Sequence, residues 1–393
     1  MNRYYDFAPS GLAKGWSSFK SAFSFLDNRP TKIALIVLGI VVAYALPLLN
    51  LPIITTSGVD FGGVLFDAAA YALIALGLNI VIGYAGLLDL GYVGFYATGA
   101  YTTGLLTSQH WHWPFLLALP AAIVVTMITG LILGAPTLRV RGDYLAIVTL
   151  GFGEIIRLVT TNVDWLGAQA GIANIPSPPN IGSNAPGQQG GLFQIPHLSW
   201  STFPNIIDVG HKTPFLEFGP VDAIPFYWLV LTAFFIVIVG DILVKNSRVG
   251  RAWEATREDE DAAEVMGVPT FRFKLLAFAL GAAIGGMSGS FFATREGFIS
   301  PLTFIITLSE LFVAAVIIGG AGNRWGAAVG GVLVAYLPDR FRGFADYRML
   351  VFGLALMMLA IWRPQGIFPA RRARRALRAE AAIEELEGET VDA

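Results

Sequence analysis

Residues 286–289, Gly-Met-Ser-Gly, have the GxSG form of a serine nucleophile set in a membrane helix. Such a serine needs a histidine base within hydrogen-bond reach, supplied by a neighbouring helix. The four histidines of the sequence, His110, His112, His197 and His211, all lie in predicted outer loops. The pattern therefore does not indicate a serine protease.

Motifs for metal and nucleotide chemistry are absent as well. The sequence has no HExxH pattern, no GxxxxGK[ST] phosphate-binding loop and no cysteine. We therefore do not predict an enzyme. The chain has no candidate catalytic, cofactor-binding or metal-binding residues, and it cannot hydrolyse ATP by phosphate-loop chemistry.

Five of the ionisable residues within long apolar stretches are candidates for a functional role. They are Asp67, Asp89, Glu154, Arg157 and Glu310. An ionisable residue at membrane depth is a functional hypothesis by default. Glu154 and Arg157 stand three positions apart on one predicted helix, where they can form an ion pair. Structural pairs are the commoner outcome, which leaves a pathway role for one or two of the five.

Residues 83–104 combine frequent glycines with four tyrosines. Glycine-interrupted apolar segments are typical of broken helices beside a transport path. We therefore predict that the translocation path follows this segment. The candidate path residues are Tyr92, Tyr96, Thr98, Gly99 and Tyr101. The alternative is tight helix packing, with Asp89 at the cytoplasmic water interface.

Small residues recur at every fourth position in two later segments. Gly281, Gly285 and Gly289 follow Ala277, and Gly322, Gly326 and Gly330 repeat the pattern. Such stripes let helix backbones approach closely in membranes. We predict that both stripes mark helix packing rather than chemistry.

The segment 245–272 has the start and stop signals of a short cytoplasmic helix. Thr256 to Asp259 has the form of a capping box, and acidic residues fill the first turn that follows. These signals predict a helix over 257–266 that ends with Gly267 in a left-handed conformation. A helix this short is unstable alone in water. It therefore either packs on a cytoplasmic partner or lies on the membrane surface.

The elements that must position these residues are membrane helices. Hydrophobic residues make up 55% of the chain, charged residues only 14%, and the mean hydropathy is +0.62. A soluble domain carries about 25% charged residues. The predicted fold class is an all-α membrane protein, a polytopic helical bundle of about ten spans. The spans are 33–50, 63–83, 89–108, 114–134, 143–161, 224–244, 273–293, 303–319, 325–338 and 347–362, the last two short enough to be half-helices.

Basic residues give the orientation. With the N-terminus inside, predicted cytoplasmic segments hold 20 of the 26 Lys and Arg residues, and the long Pro-rich outer loop 162–223 holds one. Both termini are therefore predicted to be cytoplasmic. The chain divides into an N-terminal extension (1–32), a transmembrane permease domain (33–362) and a basic-then-acidic tail (363–393).

Six separated stretches resemble, in order, the M-type inner-membrane permeases of branched-chain amino-acid ABC transporters. They are GYAGLLDLGYVGFYATGAYTTGLL (83–106), LRVRGDYLAIVTLGFGEIIRL (138–158), REDEDAAEVMGVPTFRFKLLAFALGAAIGGMSGSFFA (257–293), GFISPLTF (297–304), YRML (347–350) and WRPQGIFP (362–369). The resemblance covers nearly all of 63–369.

This resemblance implies an importer subunit for leucine, isoleucine, valine or similar amino acids in a bacterial inner membrane. It implies three kinds of protein partner besides lipid, and no nucleic acid. They are an H-type permease, two cytoplasmic ATPases that use ATP and Mg²⁺, and an external binding protein. It also makes 257–267 the element that couples to an ATPase groove. The coupling residues would be Glu260, Ala262, Ala263, Met266 and Gly267. A urea or short-amide permease, or an ion-coupled carrier acting alone, remain the alternatives.

Overall fold

The structure is a computed structural model that describes most of the helical part of the chain. The described residues are 29–49, 60–108, 111–138, 143–178, 194–198, 207–214, 223–340, 347, 350, 353–354, 357–358, 361 and 366–369. The predictions for most of the N-terminal extension, the charged tail beyond 369 and most of the tenth span lie outside these residues.

The helices follow the apolar runs of the sequence. Helix α1, Arg29–Leu49, belongs to a compact unit of its own. The other helices form a second compact unit. They are α2 Phe61–Leu78, α3 Tyr92–Thr107, α4 Phe115–Thr137, α5 Asp143–Asn162, α6 Ile224–Asn246, α7 Arg248–Glu258, α8 Glu260–Val265, α9 Thr270–Glu296, α10 Ile306–Gly319 and α11 Arg324–Arg340.

Among the described residues, six helical segments are long and apolar enough to cross a membrane. They are Phe61–Tyr84, Phe115–Thr137, Tyr144–Asn162, Ile224–Asn246, Thr270–Glu296 and Pro301–Gly319. They coincide with the second and the fourth to eighth predicted spans. Helices α3 and α11, of 16 and 17 residues, occupy the third and ninth. The prediction of a helical membrane protein is confirmed.

Helix α9, of 27 residues, packs against α2, α3 and α4. Its glycines lie where those neighbours come closest: a Cβ added at Gly281 would stand 2.6 Å from Val81 Cγ2, and one at Gly285 would stand 3.2 Å from the Tyr92 ring. At Gly289 an added Cβ would fall on the Tyr96 carbonyl. Glycine at these positions lets α3 lie directly on α9.

Short strands join distant segments of the chain at one end of the bundle. Strand β1, Ile172–Ala173, pairs antiparallel with β4, Phe298–Ile299, so the segment after α5 is joined to the segment after α9. Strands β2, Gln194–Leu198, and β3, Ile207–Pro214, pair with each other. At the same end, the Asp60 carboxylate caps α2 by accepting from the Gly62 and Gly63 amides.

At the other end, α2 changes its hydrogen-bond register. Residues Asn79–Tyr84 form a π-helical segment, and residues 85–91 that follow are not helical. The glycine-rich segment 83–104 is thus interrupted before α3 begins. π-Helical turns are uncommon inside α-helices and are frequent at functional sites.

Candidate functional site

The predicted helix over 257–266 is two helices. Helix α7 continues to Glu258, and α8 begins at Glu260, because Asp259 adopts an extended conformation between them. Asp259 caps α8 by accepting from the Ala262 amide at 2.9 Å. The predicted cap at Thr256 is wrong: its hydroxyl lies inside α7 and donates to the Ala252 carbonyl.

Helix α8 turns large apolar side chains outward. Val265 and Met266 are 87% and 82% exposed, and Ala262 is also exposed. Ala263 is only 5% exposed, so its methyl group faces the rest of the chain. Glu260 is held by an ion pair with Lys274 of α9 at 2.5 Å.

The end of α8 follows the predicted geometry. Gly267 has φ +83°, in the left-handed region, and its amide donates to the Glu264 carbonyl at 2.9 Å. The Val268 amide then donates to the Ala263 carbonyl, which completes the C-terminal cap. The predicted conformation of Gly267 is confirmed.

Helix α7 joins this projection to the π-helical segment. Trp253 is fully buried, stacks on the Tyr84 ring with 6.4 Å between centroids, and donates from its indole nitrogen to the Phe273 carbonyl at 2.7 Å. Arg257 donates to the Gly83 carbonyl. At Gly86, with φ +73°, an added Cβ would stand 2.7 Å from Arg257 Cγ, which leaves room for glycine alone.

A buried polar network extends from the π-helical segment to α6 and α11. The Asp241 carboxylate accepts from the Tyr84 hydroxyl and forms an ion pair with Arg324, both at 3.1 Å. The Asn79 side-chain oxygen accepts from the Gly322 amide at 2.8 Å. Lys245 donates to the Gly322 carbonyl and lies 4.3 Å from the centre of the Tyr84 ring.

The sequence prediction missed this network. Asp241 is an acid within the predicted sixth span, so the signal used for the other intramembrane acids could have found it. Asn79 and Arg324 carry no comparable local signal, because their partners stand far away in sequence.

The predicted path residues lie mostly inside the bundle. The Tyr92 hydroxyl donates to the Gly281 carbonyl at 2.7 Å, and Tyr96 packs among the rings of Phe292, Phe304 and Phe312. An alanine methyl at Gly99 would fall on the backbone of Gly286. Tyr101 is 4% exposed, and Thr98 is half-buried with its hydroxyl bonded to its own helix.

Asp89 is placed differently from its prediction. It is fully buried rather than at a water interface, and its carboxylate accepts from the Gly91 amide at 2.9 Å. The second carboxylate oxygen has no hydrogen bond among the described residues. This aspartate forms the turn that leads into α3, a local role that its side-chain reach explains.

The predicted ion pair within α5 is confirmed. The Arg157 Nε donates to both carboxylate oxygens of Glu154, at 3.1 and 3.0 Å. Both side chains are partly exposed, Arg157 to 26% and Glu154 to 38%. Of the remaining acids within spans, Asp67 is half-buried and Glu310 is exposed.

Membrane-length apolar helices, with a polar helix pair at one end of the bundle, define a polytopic membrane protein. A family model for "Branched-chain amino acid transport system / permease component" matches residues 61–361. The chain therefore belongs to this permease family and is not itself an enzyme. No solved structure matches it.

Two kinds of curated relative are similar to this chain, the LivM permeases over most of their length and the LivH permeases over less than half. The high-affinity branched-chain amino acid transport system permease protein LivM of Salmonella typhimurium is 40% identical over 79% of this chain and 71% of the relative. LivM of Escherichia coli is 39% identical over the same shares. LivH permease proteins are 30% identical over 142 residues, which cover 34% of this chain and 45% of LivH.

Proposed function

We propose that this chain is the M-type permease subunit of an ABC importer that carries leucine, isoleucine and valine across a bacterial inner membrane. The observation that carries the proposal is the 40% identity to a LivM permease over 79% of the chain. The family match over residues 61–361 includes the segment that forms α7, α8 and the start of α9.

The proposed partners are those that the resemblance to branched-chain amino-acid permeases implies. Its sequence has no phosphate-binding loop, so ATP and Mg²⁺ would be bound by two partner ATPases. An H-type permease would complete the membrane domain, and an external binding protein would deliver the amino acid. The partial similarity to LivH supports an H-type partner of related sequence.

Reconstitution tests the function and its alternatives together. The chain is placed in liposomes with an H-type permease, both ATPases and the binding protein, and uptake of labelled leucine, isoleucine and valine is measured with ATP. Urea and acetamide serve as competitors, and a proton or sodium gradient without ATP tests the carrier alternative. Uptake of urea alone, or uptake driven by a gradient alone, would contradict the proposal.

We propose ten spans with both termini in the cytoplasm. The ends of α2, α6 and α10 meet near Tyr84, Lys245 and Gly322, which agrees with the side assigned by the basic residues. Reporter tags at the C-terminus and within 162–223 test this topology. A C-terminal tag detected outside would overturn it.

We propose that α8 docks on an ATPase, with Ala262, Met266 and Gly267 at the contact. The exposed Val265 and Met266 support this, since two large apolar side chains side by side on a polar helix mark an interaction surface. Met266→Asp is expected to reduce ATPase co-purification and uptake together, whereas Glu254→Asp on the exposed surface of α7 leaves both unchanged. Unchanged co-purification for Met266→Asp would refute docking. Ala263→Arg tests local folding instead, because Ala263 faces inward.

We also propose that the path follows α3. The hydroxyls of Thr98 and Thr102 support this, because both side chains are half-exposed on one helical face. Tyr92 and Tyr96 would reach the path only if α3 separates from α9 during the cycle. Single cysteines along 90–104 are tested with polar thiol reagents, with and without trapped ATPases. Complete protection of every position would place the path elsewhere.

A further inference from the structure

An ion pair stands near the middle of a membrane-spanning helix on a face that this chain leaves open. Glu154 follows Tyr144 by ten residues and precedes Asn162 by eight. At 1.5 Å per residue, its Cα lies about 15 Å and about 12 Å from the two ends of the span. The bilayer core is about 30 Å thick. The carboxylate and the guanidinium of Arg157 are therefore held close to mid-membrane depth.

Lipid tails are a poor environment for such a face. Charged side chains within spans almost always face protein or a water-filled cavity, because hydrocarbon cannot solvate them. Helix α4 offers a direct comparison, since 28% of the residues in its most apolar stretch are buried, the same share as in α5. Its exposed side chains are leucine, valine, isoleucine and proline, and no residue of Phe115–Thr137 is ionisable. The open face of α4 suits lipid throughout, whereas that of α5 carries a charged pair among its apolar side chains.

The open face of α5 has the composition of a helix–helix contact. Ile147, Gly151, Glu154, Arg157 and Leu158 lie on one side of the helix, and we name this surface the Glu154 face. Ile147 and Leu158 are 65% and 46% exposed, and a Cβ added at Gly151 would meet nothing within 4 Å. A glycine notch beside a polar group is what membrane helices use to associate.

Water fits this face less well than a protein surface does. The two charges neutralise each other through a bidentate contact, and their neighbours on the face are apolar. In the part of the chain that the structure describes, the hydrogen bonds of the Arg157 side chain use Nε and Nη2, and none uses Nη1. A second helix could supply an acceptor for Nη1, such as a backbone carbonyl or a side-chain oxygen.

We propose that the Glu154 face is the contact surface for the second, H-type permease. This rests on the proposed function, which supplies a membrane partner of related sequence. The partner places a helix across Gly151 and offers an oxygen acceptor to Arg157. The ion pair then lies between two protein surfaces, and the apolar residues on either side exclude water from it.

Spin-label accessibility tests the environment of the face directly. Single cysteines replace Gly151 and Leu158, with Ile132 on α4 as the matched control, in the naturally cysteine-free chain. Nitroxide labels are then compared in nanodiscs for the chain alone and for the chain with the H-type permease and both ATPases. Oxygen reports lipid exposure, and a nickel chelate reports water.

We expect oxygen access at both α5 positions to fall in the complex, with nickel access low throughout and no change at 132. Continued oxygen access in the complex would show that lipid covers the Glu154 face. New access by the nickel chelate would show that the face lines an aqueous path. Either result would overturn the inference. If the unmodified chain fails to bind the H-type permease at all, the proposed function fails first. If it binds while the labels stay lipid-exposed, only the inference fails.

A paired substitution gives a second measurement that does not depend on labels. Glu154→Leu with Arg157→Leu removes both charges and keeps α5 apolar, so membrane insertion is retained. We expect roughly three- to tenfold less H-type permease to co-purify, the range that interhelical polar contacts give in membranes. Ile128→Ala with Ile132→Ala on α4 is the control and leaves co-purification unchanged. Equal co-purification for the leucine pair would overturn the inference.

Discussion

Replacing Trp253 should release the α7–α8 unit from the transmembrane bundle. Its side chain is fully buried, stacks on Tyr84 and donates a hydrogen bond to the Phe273 carbonyl. Trp253→Ala creates a cavity that lowers the free energy of unfolding by about 3–5 kcal/mol. It also leaves the Phe273 carbonyl without its hydrogen-bond donor, which lowers the free energy of unfolding by about 1–3 kcal/mol more. Trp253→Phe keeps most of the ring volume and loses only the donor, so about 1–3 kcal/mol is expected.

The assay compares thermal stability with coupling. Each purified complex is heated, and the midpoint is the temperature at which half of its monodisperse elution peak is lost. The number of ATP molecules hydrolysed per leucine transported is measured for the same variants. Trp325→Ala is the control, because Trp325 is 53% exposed and should change stability by less than about 0.5 kcal/mol. We expect Trp253→Ala to lower the thermal midpoint of the complex most and to raise the number of ATP molecules hydrolysed per leucine transported. A Trp253→Ala variant that matches Trp325→Ala in both measurements would refute the reasoning.

Three further predictions use the same preparation. Gly99→Ala should fail to assemble, because its methyl would fall on the backbone of α9, whereas Gly240→Ala, where nothing lies within 4 Å, should elute normally. Gly267→Val should destabilise the end of α8 by about 1–3 kcal/mol, since φ is +83° there, and protease cleavage near 267 should accelerate. Asp241→Leu should lower the free energy of unfolding by about 3–5 kcal/mol, because it leaves the buried Arg324 charge without its ion-pair partner. Adding Arg324→Leu should then raise the thermal midpoint part of the way back. A double variant no more stable than Asp241→Leu would contradict the last of these.

The membrane helices could be predicted from sequence because each is specified locally. A run of about 20 apolar residues is a property of consecutive positions, and the bilayer gives it one outcome. The fourth predicted span, 114–134, became α4, Phe115–Thr137, with a shift of one residue at its start. The ion pair of Glu154 and Arg157 was predictable for the same reason, since i and i+3 lie on one helical face.

The π-helical segment could not be predicted in this way. Asn79 lies inside an apolar run with no local sign of a changed register. Its side-chain oxygen accepts from Gly322, which stands 243 residues away. Long-range partners of this kind become visible only when α2 and the α10–α11 connection are brought together.

The boundary between α7 and α8 shows a local competition that the sequence leaves open. Thr256 and Asp259 are both good helix caps, and both are followed by helix-forming residues. Ser247 decides between them, because it caps α7 by accepting from the Val249 amide and so starts the helix upstream of Thr256. Once Thr256 is inside a helix, Asp259 is the remaining cap, and the acidic turn predicted for one helix begins the next.

The position of α8 suggests how force could enter the bundle. A helix of six residues is not stable alone, so its contacts with α9 hold it: Glu260 with Lys274, and Glu264 with the Thr270 hydroxyl at 2.5 Å. Both partners lie in the first turns of α9, the helix that packs along α3 and α4. A displacement of α8 would therefore act on α9 directly. Trp253 and Arg257 of α7 contact the π-helical segment, so the same displacement would also reach α2. If α8 docks on an ATPase as proposed, its contacts with two different helices would let a small movement at Met266 change the angle between α2 and α9. Alternating access requires a rearrangement of this kind.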